Sequence, residues 1–287
     1  MFSRPHVDYL ELPCPRLPRA FDGLSLLHLS DLHITRWTGR LERWRAALAR
    51  LNPDVAVITG DLGHRSWQWK TSLASVERLL EALAPRFGVY FILGNHDSVK
   101  LGAALAQTRD AQGRPRVLLQ NETVFLQEGA LGLEVHRPDI AVQGPDAPAN
   151  QKLKIENRKS PAPRLALIGI HQHRRIDTDI PLALRNGGVT PADFKLMLLH
   201  YPDLVYPAAA AGADVCLAGH THGGQICWPD GRPLFGQDTL SADQCTGVHR
   251  VNGTWMIVNR GIGAAGLRLR VFCPPHAVLM TLRAAKD

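Results

Sequence analysis

Two histidines one residue apart, His220 and His222, lie in the stretch Gly219-His-Thr-His-Gly-Gly-Gln225, directly after the apolar run Asp214-Val-Cys-Leu-Ala218. A strand that ends in glycine-flanked imidazoles delivers two nitrogen donors to the rim of a sheet, where the backbone is free to turn. Alone, such a pair is more often an ordinary surface feature than a metal site. Four other places in the chain repeat the pattern. Asp31 and His33 follow the run Leu24–Leu29, and Asp61 follows Asp54–Thr59. Asn95, His96 and Asp97 follow Gly88–Leu93, and His200 follows Lys195–Leu199.

Asp31, His33, Asp61, Asn95, His200, His220 and His222 offer carboxylate, amide and imidazole donors with no thiolate, a set suited to borderline divalent ions such as manganese, iron, zinc or cobalt. They are too many for one ion. Two ions sharing the Asp61 carboxylate would use them all, and a pair about 3.5–4 Å apart is a known hydrolytic arrangement. His28, inside an apolar run, reads as a hydrogen-bonded core residue instead.

The elements that must position these side chains follow from periodicity. Continuous apolar runs at 24–29, 54–59, 88–93, 164–169, 195–199 and 214–218 read as strands buried on both faces. Helical spacing predicts helices over 40–51, 71–84, 98–109 and 203–211. The first three strand-helix units argue for a largely parallel sheet, whose carboxyl ends are where open α/β sheets bind ligands. A short edge strand at 7–12, an antiparallel section near 115–119, 122–127 and 131–135, and closing strands near 247–251, 255–259, 267–272 and 276–282 complete an α/β fold of two packed mixed sheets flanked by helices. Residues 136–163, with prolines at 138, 145, 148, 161 and 163, form a loop-rich insertion in what is otherwise one domain, 1–287.

Composition narrows the partners. A formal charge of +7 favours an anionic partner: a phosphate ester, an anionic membrane touched peripherally, or nucleic acid. No basic-aromatic motif supports nucleic acid. The cysteines Cys14, Cys216, Cys227, Cys245 and Cys273 are scattered without a C-x-x-C pair, as in reduced proteins of a cytoplasmic compartment. No stretch of about 18 apolar residues is present to span a bilayer, so membrane contact would be peripheral, on the inner face.

The ordered blocks D-x-H, GD, GNHD, a distant H and GHTH resemble the calcineurin-like metallophosphoesterase superfamily, and cover residues 31 to 222. The stretches Leu29–His33, Gly223–Gln225, Pro233–Gly236 and Asn259–Gly263 are further similar to a bacterial branch of membrane-associated phosphodiesterases that includes UDP-2,3-diacylglucosamine pyrophosphatases. The resemblance implies an αββα sandwich. One metal would be held by Asp31, His33, Asp61 and His222, the other by Asp61, Asn95, His200 and His220. Manganese is the first choice of ion, and the metals would activate a water for in-line attack on phosphorus, with His96 stabilising developing charge or protonating the leaving group. Asp61 and His96 are thus the expected catalytic residues.

Many relatives read GD-x-x-D-R, whose second aspartate orients the catalytic histidine, whereas this chain has His64 there. Asp97 is a substitute acid, or protonation of the leaving group contributes little. His64, Arg260 and Arg268 are candidate substrate contacts. Gly261-Ile-Gly-Ala-Ala-Gly266 spells a dinucleotide fingerprint, but no helix or βαβ unit follows, which excludes NAD and leaves a tight loop near the metal mouth. The expected activity is hydrolysis of a phosphodiester or pyrophosphate bond. A nuclease, a cyclic-nucleotide phosphodiesterase and a non-catalytic metal-binding scaffold are the alternatives.

Overall fold

A computed structural model describes residues 4–129, 132–138, 164–171, 180–236, 239–266 and 269–285. Its strands and helices run in the order β1 His6–Pro13, β2 Ser25–Leu29, α1 Gly39–Leu48, β3 Val55–Thr59, α2 Trp69–Leu80, β4 Val89–Ile92, α3 Val99–Ala106 and β5 Val117–Leu118. There follow β6 Glu122–Gly129, β7 Gly132–His136, β8 Leu165–Gly169, α4 Ile180–Gly187, β9 Phe194–Leu198, α5 Val205–Ala210, β10 Val215–Ala218, β11 Gly247–Val251, β12 Thr254–Val258 and β13 His276–Arg283.

The strands form a six-stranded sheet, β1-β13-β2-β3-β4-β5, and a seven-stranded sheet, β11-β12-β10-β9-β8-β6-β7. Both are mixed. In the first, β2, β3, β4 and β5 are mutually parallel and β13 is antiparallel to β2. In the second, β8, β9, β10 and β12 are parallel, with β6 and β11 running against their neighbours.

Alternation within each strand builds three apolar layers. Val55 and Val57 of β3 meet Leu165, Leu167, Val215 and Leu217 of the second sheet in the central layer. Ala56 and Ile58 point the other way, under Leu41, Trp44, Val76 and Leu79 of α1 and α2. Ala166, Ile168, Cys216 and Ala218 pack beneath Ile180 and Ala183 of α4 and Val205 and Ala208 of α5. The order is therefore helix, sheet, sheet, helix, and each fully buried Val, Leu or Ile contributes about 1.5–3 kcal/mol. Thr38 caps α1 by accepting from the Leu41 N–H at 3.3 Å.

The structure differs from the sequence expectations in specific places. The strand expected at 267–272 does not form over its described part: residues 269–273 are irregular, with one parallel bridge between Val271 and Ile226. Leu267 and Arg268 lie outside the described residues, as does the insertion beyond residue 138. β5 joins the first sheet parallel to β4, not the antiparallel section. Helix α4 was not anticipated, because Pro181 and Gly187-Gly188 obscure its Ile180/Ala183/Leu184 stripe. His28 is buried on Thr59 Oγ1 at 2.9 Å, as a core histidine should be. All five cysteines are buried and outside any disulfide, and no described helix is long and apolar enough to cross a membrane.

Candidate metal centre

The first sheet contributes β2, β3 and β4 to one rim, and the second contributes β9 and β10. Past the strands, backbone pairing continues and fixes the loops. The Asp31, His33 and Ile34 N–H groups donate to the carbonyls of Gly60, Asp61 and Leu62 at 3.0, 2.9 and 3.0 Å. From the last loop, Ile262 and Gly263 donate to Ser30 and Asp31 at 3.2 and 2.7 Å. Held in this way, Asp31, His33, Asp61, His220 and His222 all take up left-handed backbone, with φ of 47°, 44°, 51°, 69° and 52°. Such conformations cost on the order of 1–3 kcal/mol each and persist where surroundings over-determine them. Here they turn five polar side chains inward from consecutive rims.

Close approach requires glycine at the crossing points. A Cβ on Gly94 would lie 2.5 Å from the Asp61 nitrogen and 2.6 Å from His200 Cε1. One on Gly263 would lie 2.5 Å from the Leu32 carbonyl oxygen and 2.7 Å from that of Asp31. Gly261 and Gly263 lie on the back of the Asp31–His33 turn, which leaves no room for a Cβ, whereas Gly266 faces open space.

Two groups of donors converge. Asp31, His33 and His222 form one, and Asp31, Asp61 and His200 form another, each with ligand atoms within 4.8 Å of one another. His33 Nε2 lies 2.9 Å from His222 Nε2 and 3.4 Å from Asp61 Oδ2. His200 Nε2 lies 3.6 Å from Asp61 Oδ1 and 2.9 Å from Asn95 Oδ1, which in turn is 3.1 Å from His220 Nδ1. All seven residues picked out in the sequence are thus brought together, with Asp61 between the two sides. The His200 Nδ1–H donates to the Thr59 carbonyl at 2.8 Å, which leaves its Nε2 lone pair aimed at the centre.

Electrostatics make the site fit a cation. Burial, more than any neighbour, pushes Asp31 and Asp61 up, with Asp61 reaching about 8, although His200 pulls both down. Burial pulls His33 to about 2 and His222 well below the ordinary imidazole range, neighbouring cations adding to the effect. Burial also opposes charge on His200, yet Asp61 and Asp31 hold its pKa above the ordinary value. Carboxylates that resist ionisation beside neutral imidazoles are what a divalent cation relieves. Nitrogen and oxygen lone pairs already face one another at contact distance, so the residues suit two such ions.

Around this centre the remaining candidates take distinct places. His96 donates its N–H to Asp61 Oδ1 at 2.9 Å, and its Nδ1 meets the His64 carbonyl at 3.2 Å. Asp97 does not orient His96: its oxygens accept from the Gly63 and Gly94 N–H groups at 2.9 and 3.0 Å. The His64 ring is buried, with Nδ1 3.4 Å from His33 Nδ1, and stacks within 4° of His96. Arg260 is bound to Asp8 at 3.1 Å and to His276 Nδ1 at 2.9 Å. Sequence reasoning missed the carbonyls of Thr59 and His64, which no residue type advertises, and the buried Arg270.

Residues 24–224 match the family described as Calcineurin-like phosphoesterase. The chain belongs to that family, a class of metal-dependent phosphoesterases. It is 27% identical to the uncharacterized metallophosphoesterase YkoQ of Bacillus subtilis, over 88% of this chain and 81% of that protein. It is 29% identical to a transmembrane protein with metallophosphoesterase domain of Danio rerio, over 98% of this chain and 58% of that protein. The NAD nucleotidase of Haemophilus influenzae has 14% identity and a TM-score of 0.42, over 83% of this chain and 45% of that one.

Proposed function

We propose that the protein hydrolyses a phosphodiester or pyrophosphate bond at a dinuclear centre. Asp31, His33, Asp61 and His222 hold one ion; Asp61, Asn95, His200 and His220 hold the other. The observation that carries this reading is the placement of Asp61, whose Oδ2 lies 3.4 Å from His33 and whose Oδ1 lies 3.6 Å from His200. When bound, divalent ions polarise phosphoryl oxygens and lower the pKa of a coordinated water from 15.7 towards about 7. Manganese is our first choice, with iron, zinc and cobalt as the other ions this donor set accommodates. The protein's own part is positional. Thr59 orients His200, and the His64 carbonyl engages His96 Nδ1, leaving His96 Nε2 to meet the charge developing on the leaving oxygen.

We extend the reading to a lipid-linked substrate such as UDP-2,3-diacylglucosamine and to peripheral contact with an anionic membrane from the cytoplasmic side. Trp228, Phe235, Leu269 and Phe272 are exposed in the segments that pair beside the His222 turn, and the net charge is +7. Exposed aromatics near a catalytic mouth suit acyl chains. The whole chain, including the insertion at 136–163, is read as one metallophosphoesterase domain.

Hydrolysis of bis-p-nitrophenyl phosphate should require Mn2+ and be lost in Asp61→Asn. Equal rates for the two proteins would refute the catalytic reading. A substrate panel that includes UDP-2,3-diacylglucosamine, run beside vesicle co-sedimentation, tests the lipid extension.

A further inference from the structure

Arg270 is buried and lies beyond every motif, in a segment without regular secondary structure. Its Nε donates to the Gly263 carbonyl at 2.9 Å, and Nη2 reaches the same oxygen at 2.6 Å and the Arg260 carbonyl at 2.5 Å. Nη1 donates to the His222 carbonyl at 3.1 Å, and Nη2 stands 3.2 Å from His222 Nδ1. Longer contacts of 3.4 Å reach the Gly261 and Cys273 carbonyls. A buried guanidinium is costly unless its donors are used, and this one spends all three nitrogens on backbone oxygens.

Those oxygens belong to two different walls of the centre. Residues 261–263 brace the Asp31–His33 turn from behind through the bonds from Ile262 and Gly263 to Ser30 and Asp31. His222 stands on the opposite loop, at left-handed φ. A planar fork with five N–H donors can tie both at once, whereas an ammonium at the same place cannot match that geometry.

We infer that Arg270 is a positioning residue for one of the two metal sites: it locks the His222 turn against the 261–263 loop, and so sets the spacing of Asp31, His33 and His222. The inference rests on the dinuclear reading above but concerns a residue outside the ligand set. Outer-shell partners of metal ligands are typically worth about 10–100-fold in affinity. Of the ligands proposed for the other ion, Asn95 and His200 stand on separate loops and are held by each other and by the Thr59 carbonyl, so the larger effect falls on one ion.

Titration calorimetry with MnCl2, on wild type, Arg270→Lys and Arg270→Met of the full chain, tests this, alongside the thermal midpoint of each metal-free protein. Wild type should bind two ions. Both variants should lose roughly 10–100-fold in affinity for one ion and keep the other. The loss in Arg270→Lys separates the fork from mere charge, and that variant carries the test if Arg270→Met does not fold. Two unchanged affinities in Arg270→Lys, or equal weakening of both ions, would overturn the role of Arg270 while leaving the dinuclear reading intact. Wild-type protein that binds no ion would overturn both.

Discussion

His96 Nδ1 lies 3.2 Å from the main-chain carbonyl of His64, the residue that stands where the resemblance implies an aspartate. A backbone acceptor survives replacement of its side chain. At saturating Mn2+, His64→Ala should therefore retain kcat within about tenfold, whereas His96→Ala should lose about 10²–10⁴-fold, the usual range for a positioned acid or base. Equal losses in the two variants would show that the imidazole of His64, not its carbonyl, serves His96.

Asp97 acts as a clamp between two loops, with one oxygen on the Gly63 N–H and the other on the Gly94 N–H. Asp97→Asn turns one acceptor into a donor facing a donor, which should cost about 1–3 kcal/mol. Urea unfolding at neutral pH measures it. An unchanged midpoint would mean that these bonds do not hold the Gly63 and Gly94 loops together.

Gly263 tests the brace behind the Asp31–His33 turn. Ala there would bring a Cβ to 2.5 Å from the Leu32 carbonyl and 2.8 Å from His33 Cβ, so backbone must move. The expected cost is about 1–3 kcal/mol, as for overpacked interiors, with weakened Mn2+ binding. Gly266→Ala, in the same loop at φ +55° but with open space around it, should lose stability without losing metal affinity. Similar metal affinities in the two variants would contradict the bracing role.

The pH dependence of metal stabilisation follows from Asp61. Burial raises its folded pKa to about 8 against an ordinary 3.8, so between those values the ion-free folded state binds more protons than the unfolded chain. Stability in EDTA should thus fall as pH rises through that window. His276 opposes this: burial lowers it to about 4 from 6.5, so its contribution grows as pH rises through that narrower range. Because His276 is bound to Asp8 and Arg260 rather than to the centre, it cancels between samples with and without ion. The Mn2+-induced rise in Tm should be larger at pH 8 than at pH 5. A pH-independent rise would argue against ionisation of Asp61 on metal binding.

The chain itself determined which residues meet and on what scaffold. Runs such as Val55–Ile58 and Val215–Ala218 are apolar at every position because each strand is buried on both faces. A polar residue directly after such a run can only stand at the rim, which made Asp31, Asp61, Asn95, His200 and His220 legible. Features that depend on non-local partners were not. β5 joined the first sheet because β4 offered it an open edge, and residues 269–273 stayed irregular around one bridge to Ile226. Only the tertiary structure decided that Asp97 clamps two turns, that a carbonyl meets His96 Nδ1, and that Arg270 is bonded to both His222 and the 261–263 loop. Backbone oxygens carry no residue identity, and left-handed turns in Asp and His are imposed by neighbouring loops, so neither is written in the local sequence.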